Sequence, residues 1–207
     1  EKDTVKEVLK DSKVRVEELT DTVFAHASDT KTPQGILCVV EQMNHEINEL
    51  TLAKCPLIMV LDHLQDPGNL GTMIRTGEGA GITGVIMNNQ TVDIFNPKTI
   101  RATMGSIFRV PFVYVPDLAP VLEQMHAKGI YTYAAHLKGQ EYYDSFSFRE
   151  PTAFLIGNEG NGLSKEISDQ AGQYLKIPME GRVESLNASI AAALLMYEAH
   201  RQRSARL

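Results

Sequence analysis

From Leu57 onward the chain alternates short, continuously apolar runs with longer stretches whose apolar residues recur at helical spacing. The runs are LIMVL (57–61), GVIMNN (84–89), PFVYV (111–115), IYTYAAH (130–136), AFLIG (153–157) and YLKIP (174–178). Between them the spacing predicts helices over 69–80, over NPKTIRATMG, over 118–127, just after Gly162, and over 187–203. Short strands with no polar face, separated by helices, indicate a parallel sheet covered on both sides. The expected fold is therefore α/β. Residues 1–54 read differently: a short helix, a turn at Pro33 to Gly35, and one apolar strand, ILCVV (36–40). This is too little for a core, so the segment reads as a small N-terminal α/β appendage, joined on through NHEINELTLAKCP.

Composition narrows the class. With 207 residues, 43% hydrophobic and 22% charged, the chain has the profile of an ordinary globular protein. No apolar run approaches the roughly 20 residues that span a bilayer, and no signal peptide is evident. The two cysteines, Cys38 and Cys55, lack metal-type spacing and suit a reducing compartment. The six histidines are scattered. The expectation is a cytoplasmic protein with no membrane association and no structural metal. A net charge of −6 weighs against a broad nucleic-acid face without excluding a local patch. Arg201, Arg203 and Arg206 make the C-terminal end locally basic, either as such a patch or as cations matched to a helix dipole.

Three strand ends carry polar loops rich in Gly, Asn and Ser. DPGNLGTMIRTGEGAG follows the first run, but it matches neither the dinucleotide fingerprint nor the P-loop. Its late glycines, Gly77, Gly79 and Gly81, read as a helix end with close packing. Asn69 suits a helix N-cap, whereas nothing local explains Arg75. IGNEGNGLS, with Glu159, follows the fifth run, and its Ser164 reads as a cap for the next helix. IPMEGRVESLNAS follows the sixth and gathers Ser185, Asn187 and Ser189 at a helix start, where capping needs only one of them. In parallel sheets, ligands bind at the carboxyl ends of the strands. The composite site, Asn69, Arg75, Glu159, Ser185 and Asn187, holds no His, no Cys and no carboxylate pair. Such a set suits a transfer in which a cosubstrate brings the reactivity and the protein positions the partners.

These residues resemble the three motifs of the SpoU (TrmH) family of RNA ribose 2′-O-methyltransferases, within the SPOUT superfamily. DPGNLGTMIRTGEGAG, IGNEGNGLS and IPMEGRVESLNASIAAALLMYE occur in family order, and the resemblance covers about residues 56–200. It implies a parallel sheet whose C-terminal segment forms a deep trefoil knot, a homodimer, and S-adenosyl-L-methionine held in the knot. It divides the chain into a partial N-terminal RNA-binding (substrate-binding) domain and linker, 1–54, and a knotted methyltransferase domain, 55–207. Asn69, Arg75, Glu159, Ser185 and Asn187 match the family's catalytic positions, and Gly157, Ile177 and Leu186 its methyl-donor contacts. The implied reaction is 2′-O-methylation of an RNA ribose, with large-subunit (23S) rRNA favoured over tRNA because of the appended segment.

The residue types suit that chemistry. Positive charge is lost from a sulfonium as the methyl moves, so a backbone-lined apolar pocket suits the transition state better than a fixed anion. The family proposal makes the arginine the base. Guanidinium groups are protonated at neutral pH, and removing that proton costs on the order of 7–9 kcal/mol. Arg75 is therefore better matched to gripping a phosphate and orienting the ribose. Two rival readings are a catalytically idle RNA-binding scaffold on the same fold and a nicotinamide oxidoreductase. All five motif residues are present, which disfavours the first; the dinucleotide fingerprint is lacking, which disfavours the second.

Overall fold

The computed structural model describes residues 7, 13–28, 30–136, 139–183 and 185–204. They form two compact units, Glu1–Met43 and Asn44–Leu207. In the first, one helix, α1 (Asp21–Ser28), buries none of its residues. The expected strand ILCVV is absent. Residues 36–40 have no strand assignment, and Val39 is 98% exposed. A strand needs a neighbouring backbone to satisfy its N–H and C=O groups, and no described residue pairs with this segment.

The second unit opens with α2 (Ile47–Thr51), whose Leu50 is fully buried, so residues 44–54 pack with this unit. The strands are β1 (Leu57–Leu61), β2 (Gly84–Asn88), β3 (Phe112–Val115), β4 (Tyr131–Ala135), β5 (Glu141–Tyr142), β6 (Thr152–Ile156) and β7 (Gln173–Lys176). They make one sheet in the order β3-β2-β1-β6-β4-β7-β5, every pair parallel. Five of these correspond closely to the apolar runs. β7 covers only the polar-leading part of its run, and the two-residue edge strand β5 has too little pattern to be read from sequence.

The helices are α3 (Pro67–Ala80), α4 (Pro97–Thr103), α5 (Ala119–Ala127), α6 (Lys165–Asp169) and α7 (Ala188–Ser204). Every residue of β1, β2 and β6 is buried, because helices cover both faces. Ile58, Val60, Ile86, Ala153 and Leu155 form one core with Leu50, with Leu122 and Met125 of α5, and with Ile167 of α6. On the other face α3 packs against α4 and α7, and α7 reaches β6. The close approach of α3 to α4 depends on Gly71, where a Cβ would stand 2.5 Å from Ala102 Cβ and 2.7 Å from Thr99 O. α3 ends at Gly81 in the left-handed conformation (φ 78°), as the glycine-rich tail of the motif predicts.

The pairing of β1 with β6 positions the site. The register Leu61↔Ile156, extended by Asp62 N–H donating to Ile156 O at 2.9 Å, starts loops 62–66 and 157–163 at the same level. Arg203 of α7 fastens the opposite end. Its guanidinium donates to the backbone carbonyls of Phe148 (2.7 Å), Glu150 (2.7 Å), Cys55 (3.1 Å) and Pro56 (3.2 Å), beside the starts of β1 and β6. Arg201 pairs with Glu198, and Arg206 lies outside the described residues. The basic end of the sequence is therefore largely committed to internal contacts. Replacing Arg203 by Ala removes charge-assisted bonds that contribute together about 2–3 kcal/mol. Thermal unfolding of that variant should fall by about 5–10 °C for a domain of this size.

Candidate functional site

The start of α3 differs from the expectation. Asn69 is not its N-cap. Asp66 caps the helix, accepting Asn69 N–H at 2.8 Å, and Pro67 occupies the first turn, where its missing N–H costs nothing. That bond holds the Asp66 carboxyl below the usual carboxylate range against a small opposing effect of burial, with Lys98 at 3.6 Å also lowering it. Capping by Asp66 frees the Asn69 side chain, which is 9% exposed.

Asn69 Nδ2 donates to Glu159 Oε1 at 2.9 Å, and Asn69 Oδ1 accepts from Asn187 Nδ2 at 2.9 Å. Asn187 Oδ1 in turn accepts Ser189 N–H at 2.9 Å and Ser189 Oγ–H at 2.6 Å, which makes it the cap of α7. Glu159 also accepts the backbone N–H groups of Gln65 (3.1 Å) and Asp66 (2.9 Å). A single hydrogen-bonded chain, Glu159–Asn69–Asn187–Ser189, thus joins the three polar loops. Because a carboxylate only accepts, each amide orientation along this chain follows from Glu159. Burial acts to raise the Glu159 pKa, but the bonds from Asn69, Asp66 and Gln65 outweigh it and leave the carboxyl below its ordinary value of 4.5. A group so occupied by donors is a poor proton acceptor, which suits a positioning role.

The loop carrying Glu159 closes on itself. Asn158 and Gly162 exchange backbone bonds, each 2.9 Å, and Asn158 Oδ1 accepts the N–H groups of Gly160 and Asn161. Gly157 is obligatory here, since a Cβ would lie 2.1 Å from Gly162 C and Leu163 N. Asn158 Nδ2 donates to His63 O at 2.9 Å, tying this loop to the one after β1. Ser164 stands at the N-cap of α6 but makes no side-chain cap bond. Its N–H donates instead to the buried carboxylate of Asp62 at 2.7 Å.

The remaining expected residues sit beside this chain rather than within it. Arg75 is exposed on α3, with no hydrogen-bond or ion-pair partner among the described residues. Ser185 is exposed just before α7 and makes no hydrogen bond to the Asn69–Asn187 link. Gly157, Ile177 and Leu186 are half-buried; the first two directly follow β6 and β7, and Leu186 precedes α7. None of the three carries a charge, and the carboxylate of Glu159 is taken up by N–H donors. Asp62, Asp66 and Asn158 were not singled out from the sequence. The signal for Asp66 was available, as an acid directly before a proline at a helix start; Asp62 and Asn158 have no local signature.

Residues 56–197 match the SpoU rRNA Methylase family. A Bacillus subtilis protein named as a 23S rRNA (guanosine(2553)-2′-O)-methyltransferase is 36% identical over 179 residues, covering 86% of this chain and 70% of its own. A Staphylococcus haemolyticus relative named for the TrmH family is 37% identical over 146 residues, and there the chain spans 59% of that protein's length. Among solved structures, an AdoMet-bound rRNA methyltransferase from Sinorhizobium meliloti superposes with a TM-score of 0.88 at 32% identity, over 96% of this chain and 76% of that one. The AviRb methyltransferase of Streptomyces viridochromogenes with AdoMet gives 0.87 at 29% identity, over 97% and 78%.

Replacing Glu159 by Gln sets an amide N–H₂ against backbone donors and should cost about 1–2 kcal/mol. The depressed pKa fixes the pH window. The carboxylate's contribution is complete above 4.5 and is lost as pH falls through the lower folded value. Stability curves of wild type and Glu159→Gln should therefore run apart at neutral pH and converge in acid.

Proposed function

The chain belongs to the SpoU rRNA Methylase family, and on that premise we propose that it transfers a methyl group from S-adenosyl-L-methionine to a ribose 2′-hydroxyl of RNA. The observation that carries this reading is the Glu159–Asn69–Asn187 chain, which draws residues from all three motifs into one site at the carboxyl edge of the sheet. The named reaction of the Bacillus subtilis relative favours large-subunit rRNA as the substrate over tRNA.

The donor, when bound, supplies an electrophilic methyl on a positively charged sulfur. Gly157, Ile177 and Leu186 line its pocket in this reading, with backbone and apolar surface where charge disappears. Asn69, its amide fixed on both sides, orients the ribose; misplacement by about 1 Å can cost a hundredfold in rate. Ser185, free of the internal chain, adds a hydroxyl contact to the ribose. Arg75 remains charged and grips a backbone phosphate, so that the hydroxyl proton leaves to water. Glu159 and Asn187 hold the others in place.

Two further features belong to the proposal. The first is the C-terminal trefoil knot. The chain runs out to β7, two strands beyond β6, then returns to pack α7 on α3, past a loop that Asn158 and Glu159 fasten to residues 63–69. A return past a fastened loop supports a threaded path for this segment. The second is a homodimer, supported by the exposed apolar stripe of α7, Ile190 (50%), Leu194 (36%) and Tyr197 (49%), which lines an open hollow with Tyr143. No helix among the described residues is long and apolar enough to cross a membrane, and a cytoplasmic setting beside the ribosome's RNA follows from the reaction.

Incubation with labelled S-adenosyl-L-methionine and unmodified rRNA or tRNA, followed by mapping of the label, tests the reaction. A 2′-O-methyl on large-subunit rRNA is expected; label on tRNA alone would redirect the substrate, and no label on either would reject the reaction. Asn69→Ala and Arg75→Ala should each reduce turnover by at least a hundredfold while donor affinity stays within about twofold. Leu194→Glu should halve the mass seen by sedimentation if α7 forms the dimer interface.

A further inference from the structure

Beside the site lies a second hydrogen-bonded cluster that the motifs do not account for. Asp62, at the end of β1, is 1% exposed. Its Oδ2 accepts Ser164 N–H at 2.7 Å, and its Oδ1 accepts Asn88 Nδ2–H at 2.8 Å and faces His63 Nδ1 at 2.6 Å. The orientation of Asn88 is fixed from the other side, where its Oδ1 accepts His63 N–H at 3.0 Å and Thr91 Oγ1–H at 2.9 Å. Asn88 Nδ2 also stands 2.9 Å from Nδ1, but the approach to the buried carboxylate is shorter. A lone pair on Nδ1 would confront that carboxylate at 2.6 Å, so the closer contact assigns the proton to Nδ1, directed at Asp62. In the neutral ring this makes Nε2 an acceptor. The His63 side chain is 46% exposed, so that acceptor is open to a ligand.

The backbone supports a purpose for this residue. His63 adopts φ 58°, in the left-handed region that glycine or asparagine occupies more readily. Its carbonyl accepts from Asn158 Nδ2, next in sequence to Glu159, and from Gln65 Nε2 at 3.3 Å. The imidazole is therefore carried by the loop that leads into α3 and Asn69, at the same carboxyl edge. A phosphate offers a neutral Nε2 nothing to accept, whereas a ribose 2′-hydroxyl donates.

We propose that His63, oriented by Asp62 and Asn88, accepts a hydrogen bond from the 2′-hydroxyl of a nucleotide flanking the methylated one, and so acts as a positioning residue that selects RNA. The inference rests on the methyltransferase reading above, with the reacting ribose at Asn69, beyond the Gln65–Asp66 backbone that Glu159 holds.

The test uses an rRNA fragment that the wild-type protein methylates, made with ribose throughout or with single 2′-deoxy nucleotides beside the target. His63→Asn keeps a residue tolerant of the left-handed backbone. It should raise KM for the all-ribose fragment about three- to tenfold, as loss of one hydrogen bond does. The kcat and the donor affinity should stay within about twofold. One flanking deoxy substitution should raise the wild-type KM equally and add nothing in the variant. An unchanged KM, or the same deoxy penalty in both proteins, overturns the proposal. Loss of kcat or of donor binding, or a penalty that follows a base amino group instead of the ribose, overturns it as well. Failure of every RNA to accept a methyl from wild type would instead defeat the underlying reaction, with His63 falling alongside it.

Discussion

The site depends on one acceptor-only group. Glu159 takes hydrogen bonds from two successive backbone amides at the start of α3 and from the side chain of Asn69. It can reach them because β6 lies beside β1 in a register that brings both strands to the same level. A carboxylate gives the neighbouring amide no choice of orientation, and Asn69 passes the constraint to Asn187 and so to the first turn of α7. Three segments far apart in sequence are thereby held in a single arrangement. Preorganisation of this kind lets polar groups act on a reacting centre without first having to turn.

The same arrangement accounts for the charge distribution. Several arginines of the catalytic unit are engaged internally: Arg109 with Glu78, Arg201 with Glu198, Arg203 with backbone carbonyls. Arg75 keeps its guanidinium free. In an acidic chain, an uncommitted cation on α3 is available to attract phosphate locally. Glu159, satisfied by three donors, does not add an unscreened anion to the same region.

Much of this was legible in the sequence because the strands that build the sheet are buried on both faces. LIMVL and AFLIG, apolar throughout and flanked by helical stretches, indicate buried parallel strands, and loops at their carboxyl ends mark the site. The late glycines of the first motif foretold the left-handed end of α3 at Gly81. What failed did so for local reasons. Asn69 looked like a cap because Asp66, a better one, stands before a proline, and the competition between two short polar side chains is decided by geometry. ILCVV has strand composition, yet composition supplies no hydrogen-bonding neighbour. The Asp62–His63–Asn88 cluster joins the ends of two strands and a third loop, and no periodicity records such a meeting.

Arg203 has a different bearing, on how the chain can change over time. All four of its acceptors are main-chain carbonyls, at Cys55, Pro56, Phe148 and Glu150. Every amino acid offers the same carbonyl, so the side chains at those four positions are free to diverge while the clamp persists. The constraint falls instead on the single position 203, where a guanidinium can reach four such acceptors at once.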